Sequence, residues 1–141
     1  MSNDAGTECE GGCLCGKVRY RIEGVPGPAN YCHCADCRRA SGSAFGVSAR
    51  VPVAAFRITS GTPKGFASRA ESGRAVTRYF CADCGTPLYT APERRPDVVY
   101  VKAGSLDDPT LVHPVQQSWM IARVDWAEIS PDLPRHERSP G

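Results

Sequence analysis

A chain of 141 residues, 41% apolar and 23% charged, has the make-up of one ordinary globular domain that can bury a core of its own. Its formal charge is only +2 with acids and bases interleaved, which argues against nucleic acid or an anionic membrane surface as a partner. Residues 1–10 lack the apolar core of a signal peptide, and no apolar run approaches the roughly 20 residues of a membrane span, so a cytoplasmic, reducing location is expected.

In chain order, a polar, glycine-containing lead carries Cys9 and reaches Cys13-Leu14-Cys15-Gly16, where the glycine eases a tight turn. Residues 17–23 alternate, with Val18, Tyr20 and Ile22 on one face and charges on the other, the pattern of a half-buried strand. After a Gly/Pro break, residues 29–31 form a short strand that delivers Cys32-His33-Cys34-Ala35-Asp36-Cys37. Residues 38–43 are expected as a polar loop or a single helical turn. Residues 44–51 alternate again, Pro52 ends them, and 53–55 make one helical turn.

Residues 56–60 and 64–68 are expected to pair as a hairpin around Gly61-Thr62-Pro63. Residues 75–80 form a strand that runs into the knuckle Cys81-Ala82-Asp83-Cys84-Gly85, and 88–90 are short and extended. Residues 98–102, Val-Val-Tyr-Val-Lys, are the most β-rich run and the expected central strand. Residues 104–109 form a loop, 115–121 and 127–129 are the last expected strands, and 131–141, with three prolines, read as a surface tail. No stretch has sustained helical periodicity, and 12 prolines and 14 glycines are spread throughout, so the fold is mostly β with little helix.

Eight cysteines in tight clusters, in a chain expected to stay in a reducing compartment, point to metal rather than to a four-disulfide exported scaffold. Thiolates bind zinc at about 2.3 Å in a tetrahedron. Without Cys9 there are seven motif cysteines, one short of two closed four-sulfur sites. The simplest partition closes one site from Cys13, Cys15, Cys81 and Cys84, where zinc binding is coupled to folding. Cys32, Cys34 and Cys37 then keep an open position. Closure of that position by Cys9 or by His33 stays open as an alternative, and it converts the protein into a zinc-stabilised, non-catalytic binding module.

Gly12-Cys13-x-Cys15-Gly16, Cys32-His33-Cys34-x-x-Cys37-Arg38, Ser41-Gly42-x-Ala44-Phe45 and Cys81-x-x-Cys84-Gly85 together resemble the glutathione-dependent formaldehyde-activating enzyme family, which includes the centromere protein V relatives. Gly104-Ser105-Leu106-Asp107-Asp108-Pro109, Trp126 and Asp132-Leu133-Pro134 add to the likeness. It covers residues 11–137 as a single zinc-binding domain, leaving 1–10 as a flexible lead and 138–141 as a tail. The resemblance implies coiled, mainly antiparallel sheets with a zinc-ribbon-like knuckle. It also implies two zinc ions, a structural one at Cys13, Cys15, Cys81 and Cys84 and a catalytic, more labile one at Cys32, Cys34 and Cys37.

The activity implied is that of a carbon–sulfur lyase or synthase acting on a thiol–aldehyde adduct, S-(hydroxymethyl)glutathione, with glutathione and formaldehyde as its small partners. Relatives carry a histidine where Gln117 aligns and a proline where Asp125 precedes Trp126, departures that bear on the substrate pocket. A glutathione-like substrate has two carboxylates that need cationic donors. Arg38 and Arg39, directly after the cluster, are the first candidates, followed by Arg69, Arg123 and Lys102. Asp36 is expected as a cap, and Phe45 as core.

Overall fold

The computed structural model describes residues 7–70, 73–128 and 132–140. Ten strands and one short helix follow in the order β1 (Glu8–Gly12), β2 (Arg19–Glu23), β3 (Ala29–Cys32), α1 (Ala35–Ser41), β4 (Gly46–Pro52), β5 (Phe56–Ser60), β6 (Lys64–Arg69), β7 (Ala75–Phe80), β8 (Pro87–Pro92), β9 (Val98–Lys102) and β10 (Pro114–Ser118). They form a three-stranded sheet, β1-β2-β5, and a seven-stranded sheet, β10-β3-β4-β9-β8-β7-β6. Neighbours are antiparallel except β10 and β3, which run parallel. The fold is mostly β, as expected, and β9 lies at the centre of the larger sheet.

The alternation in β2 explains why the two sheets stack. Val18, Tyr20 and Ile22 are buried on one side, where they join Val51, Val99, Val101 and Leu88 from the larger sheet in one core. Each such side chain, fully buried, contributes about 1.5–3 kcal/mol. Tyr20, Phe56 and Tyr89 link the layers as rings whose centroids lie 5.3 and 4.7 Å apart. Tyr20 keeps its hydroxyl satisfied on Ser105 Oγ at 2.7 Å, as a buried phenol must.

Five expectations are corrected. Part of the expected lead, Glu8–Gly12, is the edge strand of the smaller sheet, held in register with β2 from Glu8↔Glu23 to Gly12↔Arg19. Residues 56–60 and 64–68 are strands but not a hairpin: β5 pairs with β2 in the smaller sheet, and β6 pairs with β7 in the larger. Gly61 between them, at φ +76°, lies so close to the Lys17 carbonyl that a Cβ would meet it at 2.3 Å. The turn is therefore pinned to another part of the chain, and its two flanks diverge. The late strand expected over 115–121 stops at Ser118, because Trp119 takes φ 58° and turns the chain into a 3-10 turn at Met120–Ala122. Ala127 and Glu128 are irregular, and Ile129 lies outside the described residues. The expected tail docks instead of trailing: Arg135 bridges Gln117, and the Gln117 amide donates to the Pro134 carbonyl at 2.8 Å.

The other face of the larger sheet carries α1. Paired residues in adjacent strands point to the same side. Gly46 and Ser48 share a face of β4, Ser48 pairs with Lys102, Tyr100 with Thr90, Thr90 with Arg78, and Arg78 with Phe66. The register thus runs Gly46, Ser48, Lys102, Arg78 and Phe66 across one side, the side on which α1 lies over Gly46. Among the described residues no helix is long and apolar enough to cross a membrane.

Candidate metal centres and the cavity beside them

Two groups of thiols form, with the membership that the spacing suggests. The sulfurs of Cys13, Cys15, Cys81 and Cys84 lie within 4.8 Å of one another, and so do those of Cys32, Cys34 and Cys37.

The four-cysteine group is made by two knuckles brought together from 66 residues apart in sequence. Both end in a glycine at positive φ, Gly16 at +82° and Gly85 at +79°, which allows the chain to fold back over the sulfurs. Cys13 and Cys81 are 8% and 1% exposed and belong to the core between the sheets. The Cys13–Cys15 and Cys15–Cys81 sulfur separations are 3.6 and 3.8 Å. A tetrahedron with zinc–sulfur bonds of about 2.3 Å has edges of about 3.8 Å, so the donor set and its spacing fit such an ion. The Val18 amide donates to Cys13 Sγ at 3.2 Å. Thr86, which the motifs did not single out, joins the knuckles: its Oγ1 lies 3.2 Å from Cys84 Sγ and accepts from the Leu14 amide at 3.0 Å. The Thr86 hydroxyl and amide bring the Cys84 thiol down to about 5.

The three-cysteine group sits at a strand-to-helix junction. Cys32 ends β3, Cys34 caps α1, and Cys37 follows in its first turn. The cap is the Cys34 sulfur, which accepts from the Cys37 amide at 3.3 Å; Asp36, expected in that role, lies in the first turn. Gly46 makes the close approach possible, because a Cβ there would meet Cys37 Cβ at 3.3 Å and Sγ at 3.8 Å. The three sulfurs share their ionisation. Hydrogen bonds from Cys32 and Cys34 bring Cys37 down to about 2, with the charges of Lys102 and Arg78 adding, while the neighbouring sulfurs push Cys32 up. A thiolate held by two thiols is suited to a soft divalent cation.

Neither alternative donor completes this trio. Cys9 Sγ, in the other sheet, donates to the Gly24 carbonyl at 3.6 Å. His33 is 2% exposed, packs on the edge of Phe45, and places Nε2 2.9 Å from Gln117 Oε1. The amide oxygen accepts, so the ring carries its proton on Nε2. Gln117 therefore acts on the loop between two thiols.

A cavity of about 250 Å³ opens against α1, lined among others by Ala40, Phe66, Arg78, Tyr89 and Lys102. Arg38 and Arg39 lie in the last turn of α1, where cations favour the helix C-terminus, and they are not among its lining residues. Arg69 donates to the Gly73 carbonyl and Arg123 to the Met120 carbonyl. Arg78 was missed in the sequence, although it sits between Val76 and Phe80 on one face of a strand, where a cation is out of place.

The family model of the glutathione-dependent formaldehyde-activating enzyme matches residues 8–122. A Halomonas elongata protein, provisionally named as such an enzyme, is 29% identical over 125 residues, spanning 85% of this chain and 80% of its own. A crystal structure of a Rhodobacter sphaeroides protein shares the fold with a TM-score of 0.57 at 18% identity, covering 89% of this chain and 98% of that one. With the ordered cysteine motifs gathered into two thiol groups and the match running over most of its length, the chain belongs to the glutathione-dependent formaldehyde-activating enzyme family.

Proposed function

We propose that the protein joins a small thiol, such as glutathione, to a small aldehyde, such as formaldehyde, and parts them again, as a carbon–sulfur lyase or synthase of the reducing cytoplasm. Cys13, Cys15, Cys81 and Cys84 hold a structural zinc ion, and Cys32, Cys34 and Cys37 hold a second. The observation that carries this is the unfilled trio: no fourth cysteine, histidine or carboxylate among the described residues joins it, and a cavity with two cations opens beside it.

Zinc bound at the trio supplies a position for a substrate sulfur and keeps it as the thiolate, which a free thiol titrating near about 8.5 seldom is at neutral pH. In the reaction the carbon–sulfur bond forms while the carbonyl π pair moves to oxygen, which takes a proton; the thiol has lost its own. No electrons are gained or lost overall, so no redox cofactor is required. The chain's contribution is to fix the three sulfurs through the α1 cap and the Gly46 approach, and to place Lys102 and Arg78 where they offset negative charge.

The test joins zinc stoichiometry to the rate of exchange between free formaldehyde and its glutathione adduct, followed by carbon-13 magnetisation transfer. Faster exchange with zinc-replete protein, lost in a folded Cys34→Ser variant that binds about one ion fewer per chain, supports the assignment. Exchange no faster than in buffer across a panel of thiols and small aldehydes overturns it.

A further inference from the structure

Arg78 and Lys102 reach the same side of the larger sheet from different strands, and both line the cavity against α1. Both are half-buried, and neither forms an ion pair among the described residues. Hydroxyls hold them in place without neutralising them: Lys102 Nζ donates to Ser48 Oγ at 3.1 Å, and Arg78 Nη1 to Ser68 Oγ at 3.3 Å. The Nε of Arg78 is buried and has no acceptor among the described residues. Buried donors that lack a partner are uncommon, and charges taken from water without a counter-ion are costly.

The cysteine trio does not balance this pair. Three thiolates on a divalent ion leave one net negative charge, against two positive ones. Before a thiol binds, one positive charge stays unmatched inside a recess that Phe66 and Phe80 also line. A guanidinium and an ammonium that line one recess suit a carboxylate, which accepts charge-assisted hydrogen bonds from both. At about 250 Å³ the recess falls below the roughly 300–1,000 Å³ of pockets that enclose a whole drug-sized ligand, so it has room for one arm of a peptide-like thiol.

We propose that Arg78 and Lys102 form the carboxylate subsite of the thiol substrate, so that the protein selects thiols bearing a carboxylate arm over neutral thiols of the same shape. This rests on the function proposed above, in which the substrate sulfur goes to the Cys32, Cys34 and Cys37 group. The sulfur is then held by the thiol trio and the carboxylate by the cation pair, whose charges are felt at Cys37. Phe66, 62% exposed on the edge strand and in register with Arg78, forms the apolar lip over which the rest of the molecule leaves.

The test uses the full chain loaded with cobalt, whose thiolate charge-transfer band changes when another sulfur joins the trio. Glutathione and glutathione diethyl ester are titrated separately into the wild type, Arg78→Gln, Arg78→Lys and Lys102→Met, with cobalt content measured in each. The acid should bind about tenfold or more tightly than the ester in the wild type, the range of a charged hydrogen bond. Arg78→Gln should weaken the acid more than the ester and so remove most of that preference, with cobalt content read separately in each variant. Arg78→Lys should restore part of it. Lys102→Met gives an independent reading should Arg78→Gln fail to fold. Equal binding of acid and ester in the wild type, or equal weakening of both in the variants, overturns the subsite and leaves the proposed reaction standing. A band that neither thiol changes in fully loaded protein overturns the reaction, and the subsite with it.

Discussion

The two thiol groups differ in where the sheet places them more than in what they are made of. The four-cysteine group lies between the sheets, and two of its sulfurs are part of the apolar core. The three-cysteine group lies on the opposite face of the larger sheet, half-buried, under a single short helix and next to two cations and a recess. An ion in the first would be held by two core sulfurs, Cys13 and Cys81, and by Cys15 and Cys84 nearer the surface. An ion in the second would sit at a local strand–helix junction. On the function proposed above, the comparison separates a device for holding the chain together from one for meeting a small molecule.

The sharpest way to break this comparison is to remove one sulfur from each group. Cys81→Ser should unfold the protein at 25 °C. Its thiol is 1% exposed, and apparent zinc binding in structural sites is about 10–16 kcal/mol, close to or above a domain's whole stability. Far-ultraviolet circular dichroism would show loss of the strand signal. Cys34→Ser should instead leave a cooperative thermal transition close to that of the wild type, because serine keeps the helix cap that the Cys34 sulfur makes, with one ion lost. If the second variant also unfolds, the two groups are structurally equivalent and the contrast fails.

Gln117→Leu sharpens the comparison at the three-cysteine group alone. It leaves His33 Nε2 without its 2.9 Å partner in a buried site, a cost of about 1–3 kcal/mol. Chemical denaturation gives this loss directly, and metal affinity at the trio should fall while the four-cysteine group keeps its ion. Loss at both groups would show that the faces of the sheet are coupled.

The smallest effect is expected away from both. Arg19 Nη1 donates to Asp107 Oδ1 at 2.9 Å on the surface, fastening the 104–109 loop to the smaller sheet and holding the Asp107 carboxyl below its ordinary range. A carboxyl whose value is lower in the folded state stabilises above its unfolded value near about 4, and the contribution is lost as pH falls through the folded value. Asp107→Asn should therefore cost less than about 1 kcal/mol at neutral pH in low salt. The difference from wild type should vanish in acid and in high salt, as thermal melts can follow.

Much of this was legible in the residues themselves. Strand alternation at Val18, Tyr20 and Ile22 is a local property of period two, and those side chains are buried as the pattern demands. The grouping of the cysteines was legible too, because sulfurs two or three residues apart are within reach of one ion whatever surrounds them, and the CxC had to find a distant pair. What short-range pattern cannot carry is choice of partner. Residues 56–60 and 64–68 have the composition of a hairpin, yet the Gly61 contact with Lys17 sends each to a different sheet.

The amino-acid sequence alone thus determined the β class, the donor atoms and their division into four and three, since each follows from side-chain chemistry and short spacings. Only the tertiary structure decided which cations face the trio. Arg38 and Arg39 are its neighbours along the chain, but a helix turns them toward its C-terminal end, whereas Arg78 and Lys102 arrive across β7, β8, β9 and β4 through register that shifts every side chain to the other face if it slips by one. Proximity made by strand pairing is long-range, and no local window of residues contains it.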